Sequence, residues 1–298
     1  MSDLRLGVLG LSEGNGHPYS WSAIFNGYDP QAMASCPFPV IPDYLARQTF
    51  PQDAIAGARV THVWTQSRLI SEHLSAASLI EHIVDDTRDM IGQVDAVLLA
   101  RDDAEKHLEM SRPFLEAGLP VFIDKPIALN RRDLDAILAL EKFPGQVFSC
   151  SALRYAQELH VTPKDHEQIG PISFVYATTP KKWSTYAVHI IEPVLLALGD
   201  QGSIQEVTRM SSGGRTALTV LWSSGVMTIF ATLGSAAAPV QMTISGDKSS
   251  KTYTFSDTFP AFRASLAAFF EGVQRHKQQV PREHLETVVE IIERGAQP

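Results

Sequence analysis

Short apolar runs alternate with longer helical patterns through the first half of the chain. Six runs have the length and composition of buried strands, over residues 4–11, 58–65, 82–85, 94–100, 121–124 and 146–152. Between them, apolar residues recur at helical spacing over residues 19–26, 71–80, 104–117 and 130–142, with Asp102 or Asp103 as the expected N-cap of the third helix. Strands and helices that alternate in this way predict right-handed βαβ units and a parallel sheet.

After about residue 150 the pattern becomes that of an antiparallel sheet. Strands are expected over residues 172–178, 217–223, 226–233, 240–245 and 252–256, several of them joined by hairpin-like turns. Two helices close the chain. The first carries an apolar stripe that we interpret as core, made of Phe259, Phe262, Leu266, Phe269, Phe270 and Val273. The second is expected to begin at Pro281 and to end at Gly295.

Composition narrows the classes of function. The net charge of −8 argues against a nucleic-acid partner, which favours a basic face. No apolar run reaches the roughly 18 residues of a membrane span, and the amino terminus lacks the pattern of a secretory signal. Cys36 and Cys150 form no disulfide framework and no metal-binding pattern, so no metal is expected. These features predict a cytoplasmic protein.

A glycine-rich turn follows the first strand, in the arrangement that binds phosphates in dinucleotide folds. Its sequence is GLSEGNGH, in which Gly10, Ser12, Gly14, Asn15 and Gly16 are the candidate cofactor-binding residues. Ser12 stands where G-x-G-x-x-G has its second glycine, and the neighbouring Glu13 brings an unfavourable charge. A plain β–α turn remains the alternative. With the turn, the first half is predicted to be a Rossmann dinucleotide-binding domain over residues 1–150, followed by an α+β domain with a mostly antiparallel open sheet over residues 151–298.

The end of the second strand lacks the acidic residue that binds ribose hydroxyls in NAD enzymes. Ser67 and Arg68 stand there, and the planar guanidinium of Arg68 suits a 2′-phosphate. NADP is therefore favoured over NAD, although Arg68 as an ordinary solvated residue is nearly as good an interpretation. The insert over residues 29–57, rich in proline and aromatic residues, is expected to cover the cofactor or a partner surface.

The segment VFIDKPIAL places Asp124 and Lys125 at the carboxyl end of a buried strand, where open α/β sheets bind ligands. Pro126 biases Lys125 toward an extended backbone, which fixes the direction of its ammonium group. A surface Asp–Lys pair at a strand exit is the alternative interpretation.

Together these features resemble the glucose–fructose oxidoreductase, inositol dehydrogenase and rhizopine catabolism family (Gfo/Idh/MocA). Asp124-Lys125-Pro126 resembles its Glu-Lys-Pro motif, with Asp in place of Glu. His107 and Gly118 have the spacing of the helix before that strand, and Leu153-Arg154-Tyr155 resembles an Arg-aromatic step. Residues 187–192 (AVHIIE) and the following LLALG resemble the catalytic helix, which reads His-x-x-Asp and ends in Leu-Gly.

The resemblance implies hydride transfer between a nicotinamide and a sugar-like alcohol or ketone. Lys125 would stabilise charge on the reacting oxygen and His189 would be the general base, the two converging on the reacting atom. Many members carry an Asp four residues before the histidine, where this chain has Thr185. Tyr186 and Glu192 are candidate substitutes on the same helical face. A packed, non-catalytic His189 is the alternative.

The remaining site assignments follow from the same resemblance. Asp102, His107, Asp124 and Lys125 join the cofactor-binding residues, and the candidate substrate-binding residues are Arg154, Tyr155, Lys182, Trp183 and Glu192.

The expected activity is that of an NAD(P)-dependent dehydrogenase or reductase acting on CH–OH groups of a sugar, cyclitol or nucleotide-linked sugar. A non-enzymatic nicotinamide- or sugar-sensing regulator and NAD-dependent glycoside cleavage are the alternatives. A homodimer or homotetramer is expected through the antiparallel sheet, with the Leu, Val and Trp residues of 216–222 as its apolar outer face.

Overall fold

The chain forms two compact units in a computed structural model, which describes residues 3–296. The first unit comprises the residues up to Ala128, Arg132–Ser149 and Phe262–Arg282. The second comprises Leu129–Arg131, Cys150–Ala261 and the residues from Glu283 onward. The sequence pattern assigned everything after residue 150 to one domain. Phe262–Arg282 instead packs with the first unit, because Phe269 contacts Phe122 and Phe148 of the parallel sheet.

The first unit is built on a six-stranded parallel sheet, as predicted. Its strands are β1 (Leu4–Leu9), β2 (Ala58–Trp64), β3 (His82–Ile83), β4 (Ala96–Leu99), β5 (Val121–Ile123) and β6 (Val147–Phe148). They lie in the order β3-β2-β1-β4-β5-β6, and every pair is parallel. The direction of winding reverses between β1 and β4. The carboxyl ends of these two strands therefore form the crevice in which open α/β sheets bind ligands.

Eleven α-helices are present among residues 3–296. They are α1 (His17–Asn26), α2 (Pro30–Met33), α3 (Val40–Leu45), α4 (Arg68–Ala77), α5 (His107–Glu116), α6 (Arg131–Leu138), α7 (Pro163–Ile169), α8 (Trp183–Tyr186), α9 (Val188–Leu198), α10 (Thr258–Arg275) and α11 (Arg282–Ala296). The insert over residues 29–57 holds α2 and α3, which pack against α4 and α1 respectively. None of these helices is both long and apolar enough to cross a membrane.

Two of the predicted elements near the carboxyl edge of the sheet have wrong boundaries. The helix expected from Ala104 begins with a 3₁₀ turn and becomes α5 only at His107, and neither expected aspartate caps it. Asp103 instead binds the Arg101 guanidinium, and Asp102 accepts a hydrogen bond from Ser12. The strand expected over residues 146–152 stops at Phe148. The chain then enters a 3₁₀ turn that the Ser151 hydroxyl caps by accepting the Leu153 N–H.

The second unit contains a mixed sheet. Its strands are β7 (Ile172–Thr179), β8 (Ile204–Ser212), β9 (Arg215–Trp222), β10 (Met227–Thr232), β11 (Gln241–Gly246) and β12 (Ser250–Thr254). Their order is β12-β11-β7-β10-β9-β8, and all pairs are antiparallel except β10 with β7. The sequence pattern missed β8, because this strand is mostly polar and no residue in it is fully buried.

The expected outer face of β9 was wrong. Leu218, Val220 and Trp222 are buried inside the unit, because this strand alternates with every second residue inward. The opposite face presents Leu221 beside Met227 of the neighbouring strand, and Met227 in turn pairs with Phe174. A partly exposed apolar row therefore exists on this sheet, but it is made of other residues than those predicted.

Gly295 does not end the last helix, which continues through Ala296. A Cβ at Gly295 would lie 2.1 Å from the Trp183 ring. The Trp183 indole N–H donates to the Ile292 carbonyl at 2.9 Å, and its side chain is buried. The glycine is therefore required by the close approach of a tryptophan, and Trp183 belongs to the core of the second unit.

Candidate active site

Lys125 lies buried at the carboxyl end of β5, two residues after the strand ends. Its ammonium group is 3.3 Å from Oδ2 of Asp102, which follows β4. The other oxygen of Asp102 accepts a 2.6 Å hydrogen bond from Ser12 in the glycine turn. Three segments at the carboxyl edge of the sheet thus meet around one buried cation. A buried charge is costly unless it is paired, so this arrangement is weak evidence for stability and stronger evidence for a functional site.

Asp124 organises the same edge. Burial alone raises the pKa of its carboxyl group, but the charges of His17 and Lys125 outweigh that effect, and hydrogen bonds from His17 and Asn15 add to them. The resulting pKa is lowered to about 2. The carboxylate accepts from Asn15 Nδ2 at 2.8 Å and lies 2.6 Å from His17 Nδ1, and it also accepts the Lys125 backbone N–H at 2.7 Å. It therefore stays charged at neutral pH and fixes both the turn and the backbone of Lys125.

The glycine turn keeps part of the geometry of a phosphate-binding loop. A Cβ at Gly10 would lie 2.4 Å from Pro18, so this glycine allows close packing of α1 against β1. A Cβ at Gly16 would lie within 2.8 Å of Phe38 and Ile41, because the insert covers that position. Gly14 is exposed with φ of +76° and open space around it.

The backbone N–H groups of the turn decide whether an anion fits. The Leu11 N–H donates to the Gln66 side chain at 2.8 Å, the His17 N–H to Asn15 Oδ1 at 2.8 Å, and Pro18 has no N–H. Within residues 3–296, the Gly14 N–H donates to no protein acceptor. The Gly14 N–H is therefore open to an anion at the exposed tip of the turn, where the usual helix terminus provides several such donors.

A cavity of about 500 Å³ lies beyond the carboxyl ends of β2 and β4. Its lining includes Trp64, Gln66, Arg88, Arg101 and Lys106. This is the side of the switch point on which doubly wound sheets hold the adenosine half of a dinucleotide. The lining carries the cations Arg88, Arg101 and Lys106 and also the carboxylates of Asp86 and Glu109, and Arg101 already binds Asp103.

Ser67 and Arg68 were predicted to bind a 2′-phosphate. Arg68 is exposed and forms ion pairs with Glu72 and Asp85, each at 3.0 Å. Ser67 is the N-cap of α4, although its side chain makes no capping bond. Arg68 would have to leave two carboxylates to reach a phosphate, and it does not line the cavity beside Arg88, Arg101 and Lys106.

His107, a predicted cofactor contact, is fully buried. Its two ring nitrogens lie 3.0 Å from the Ile127 carbonyl and 2.8 Å from the Arg101 carbonyl. The imidazole therefore ties the segment before Asp102 to the segment after Lys125. It supports the backbone next to Asp102 and Lys125, and both of its ring nitrogens are engaged by backbone carbonyls.

His189 lies in the first turn of α9, in the second unit. Its Nδ1 atom is 2.7 Å from the Ser151 hydroxyl, and its ring packs edge-on against Tyr186 with centroids 4.9 Å apart. The Tyr186 hydroxyl is hydrogen-bonded to the Lys181 ammonium group, which also lies 4.3 Å from the centre of the Tyr186 ring. Tyr186 thus contacts His189, as predicted, but it does so through its ring.

Glu192 is buried one turn after His189. Its Oε1 accepts the Ser151 backbone N–H at 3.0 Å. Its Oε2 lies 3.4 Å from Arg154 and 3.3 Å from His284, and these two are 2.8 Å apart. Glu192 and Arg154, both predicted to bind substrate, are therefore committed to each other in a buried network.

Known proteins resemble this chain in sequence and in fold. Residues 44–151 match the family model described as an oxidoreductase family with an NAD-binding Rossmann fold, GFO_IDH_MocA. Over these residues the chain is similar to the Gfo/Idh/MocA family. The family is one of NAD-binding oxidoreductases, and the matched residues contain Asp102, Asp124 and Lys125.

One curated relative is a putative UDP-kanosamine synthase oxidoreductase subunit from Amycolatopsis mediterranei (strain S699), 30% identical over 69 residues. The match covers 23% of this chain and 19% of the relative's length.

Solved structures share the fold over nearly the whole chain. Scyllo-inositol dehydrogenase from Lactobacillus casei, with bound NAD(H) and scyllo-inositol, has a TM-score of 0.68 at 16% identity, covering 98% of this chain and 95% of that one. Biliverdin reductase from Synechocystis sp. PCC 6803, in complex with biliverdin and NADP+, has a TM-score of 0.73 at 12% identity, covering 99% and 98%. At these identities the likeness concerns the fold.

Two further predicted substrate-binding residues are Lys182 and Tyr155. Lys182 is exposed and precedes α8. Tyr155 is half-buried, and burial raises the pKa of its hydroxyl group. Four residues that the sequence reasoning missed are His17, Gln66, Ser151 and His284. His17 directly follows Gly16, so its place beside the glycine turn could have indicated a site residue. No local sequence pattern indicates that Ser151 contacts His189, which lies 38 residues later in the chain.

Proposed function

We propose that this protein transfers hydride between a nicotinamide coenzyme and a hydroxyl or keto carbon of a sugar, cyclitol or nucleotide-linked sugar. The match of residues 44–151 to an NAD-binding oxidoreductase family supports the coenzyme. Scyllo-inositol in one structural neighbour and a nucleotide-sugar name in one curated relative motivate the substrate class.

The buried ammonium group of Lys125 carries the proposal. It lies at the carboxyl edge of the sheet next to the switch point, and its partner Asp102 is itself held by Ser12. A cation fixed in a low-dielectric site stabilises negative charge that develops on a reacting oxygen, and it does so without reorganisation. Lys125 is therefore assigned to the substrate oxygen, and Asp124 and Asp102 are assigned to keeping it in place.

His189 is the proposed acid or base for the hydroxyl proton, with Tyr186 packed against its ring. When bound, the nicotinamide coenzyme supplies or accepts the hydride. The residues proposed to hold that coenzyme are the exposed turn at Gly14 and the cavity lined by Arg88, Arg101 and Lys106. Arg88, which lines this cavity, replaces Arg68 as the proposed contact for the 2′-phosphate of NADP.

A second candidate function is a regulator that binds a nicotinamide or sugar on the same fold without turnover. The glycine turn favours it, because the Leu11 and His17 N–H groups are already bonded within the protein and the insert covers Gly16. Such a turn offers a weaker phosphate site than the full motif.

Two measurements on the purified protein distinguish these candidates. Thermal shifts with NAD and NADP report binding, since a ligand held by the native state raises the melting temperature. Nicotinamide absorbance is then followed with a panel of inositols, hexoses and nucleotide sugars. We expect a larger thermal shift with NADP than with NAD, and turnover with at least one substrate of the panel.

Lys125→Ala tests the assigned role against a matched control. We expect it to keep the coenzyme-dependent thermal shift and to lose about 10²- to 10³-fold in kcat, the usual effect of removing one charge-stabilising group. Lys142→Ala removes an exposed lysine from the same unit and should leave turnover unchanged. Coenzyme binding without turnover over the whole panel would support the regulator, and undiminished turnover in Lys125→Ala would exclude the role given to Lys125.

A further inference from the structure

His189 has a buried hydroxyl as its described partner. Ser151 supplies the contact from another segment, with Oγ 2.7 Å from His189 Nδ1 and no exposed surface. The imidazole thus has an uncharged hydroxyl group beside its Nδ1 atom.

Ser151 is itself held in place from several directions. Its Oγ accepts the Leu153 N–H at 3.1 Å, which caps the 3₁₀ turn that follows. Its backbone N–H donates to Glu192 Oε1 at 3.0 Å. A serine hydroxyl has one hydrogen and two acceptor positions, so it can still donate to a neutral Nδ1 or accept from a protonated one.

The helix that carries His189 also carries the group that fixes Ser151. Glu192 follows His189 by three residues in α9, so both side chains project from one face of the helix. His189 contacts the Ser151 hydroxyl, and Glu192 accepts the Ser151 backbone N–H. Arg154 lies 3.4 Å from the remaining carboxylate oxygen of Glu192 and so keeps this buried charge compensated.

We infer that Ser151 is a positioning residue for His189, an inference that rests on the proposed function. The bond at Nδ1 fixes the plane of the ring and assigns Nε2 to the substrate oxygen. In alcohol oxidation the substrate O–H gives its proton to Nε2 and the carbon gives its hydride to the coenzyme, which leaves a carbonyl group. Ser151 Oγ accepts the Nδ1–H during that step, and the reverse step uses the same contacts.

A graded series of variants tests this role. Ser151→Ala removes the hydroxyl, and Ser151→Cys keeps the shape with a weaker partner. We expect kcat to fall about 10- to 100-fold in Ser151→Ala and less in Ser151→Cys, with KM for the coenzyme unchanged. His189→Ala should lose about 10²- to 10⁴-fold. Because Ser151 acts through His189, adding Ser151→Ala to His189→Ala should cause no further loss.

Thr162→Ala is the matched control, because the Thr162 hydroxyl also accepts a backbone N–H at the start of a helix in the second unit. It should lose stability as Ser151→Ala does and keep turnover. The same fold-loss from Ser151→Ala with and without His189 would overturn the inference, as would no loss at all.

Nitrogen NMR of the His189 ring gives a readout that needs no turnover. The Nδ1 signal should move in Ser151→Ala and stay in Thr162→Ala, and an unmoved signal in Ser151→Ala would refute the contact. If no protein in the series turns over but the signal moves, the proposed function fails while the ring contact stands. If His189→Ala turns over normally, the roles of both residues fall.

Discussion

The carboxylate of Asp124 should make a measurable, pH-dependent contribution to the stability of the first unit. Its pKa is lowered from an ordinary value of 3.8 to about 2. At about 1.4 kcal/mol per unit, the ionised group contributes about 2–3 kcal/mol at neutral pH. Because the folded-state pKa is the lower one, this stability is complete above the unfolded-state value and is lost as pH falls. About 1 kcal/mol of it should be gone by pH 3.

Asp124→Asn tests this reasoning. At pH 7 the variant should be less stable by about 3 kcal/mol, because Lys125 and His17 lose the charge that compensates them in a buried site. The amide also presents an NH₂ group to a cluster of hydrogen-bond donors. The assay is native-state hydrogen exchange of the β5 amides in urea, which reports the free energy of opening around this strand.

The pH series separates the charge from the packing. The gap between Asp124→Asn and the unmodified protein should narrow by about 1 kcal/mol from pH 7 to pH 3. Asp95→Asn is the control, since Asp95 pairs with Arg5 at the solvent-exposed surface and should cost less than about 1 kcal/mol. A stability difference that does not change with pH would show that the Asp124 carboxylate stabilises the protein through its shape and not through its charge. That result would contradict the prediction.

Two further predictions concern the second unit. Gly295→Ala would place a Cβ 2.1 Å from the Trp183 ring, and should cost about 2–3 kcal/mol and lower Tm by several degrees in calorimetry, whereas Glu290→Ala on the same helix should change Tm little. The partly exposed row of Phe174, Met227 and Leu221 is expected to contact a second copy of the chain, so light scattering should report a dimer or tetramer. Met227→Glu should convert this oligomer to a monomer. Leu69→Glu, at an exposed site of the first unit, is the control and should leave the mass unchanged. A monomeric unmodified protein would contradict the second expectation.

The parallel sheet was predictable because buried strands leave a strong signal. Runs such as Ala96–Leu99 are apolar throughout, and the helices between them keep one apolar face. The strand β8 gave no such signal, because it is mostly polar and its pairing energy lies in backbone hydrogen bonds to β9. The packing of Phe262–Arg282 with the first unit was also hidden, since an apolar stripe shows that a helix is buried but not against which sheet.

In the candidate site, prediction succeeded where the signal was local. Lys125 follows a buried strand and precedes a proline, so its place at the sheet edge follows from its neighbours in the chain. Its pairing with Asp102, 23 residues earlier, depends on how two loops pack. Trp183 and Glu192 misled for the opposite reason: polar or aromatic side chains beside a motif suggest a ligand, but here they satisfy buried partners of the protein itself.

The side chain of Gln66 extends the hydrogen bonding of the parallel sheet by one further pair of bonds. Its amide oxygen accepts the Leu11 N–H at 2.8 Å and its amide nitrogen donates to the Leu11 carbonyl at 2.7 Å, beyond the point where β1 ends. The start of the glycine turn is thus preorganised before any ligand arrives. Association there should require little loss of backbone freedom, so ligand capture at this end of the sheet should proceed without a slow ordering step.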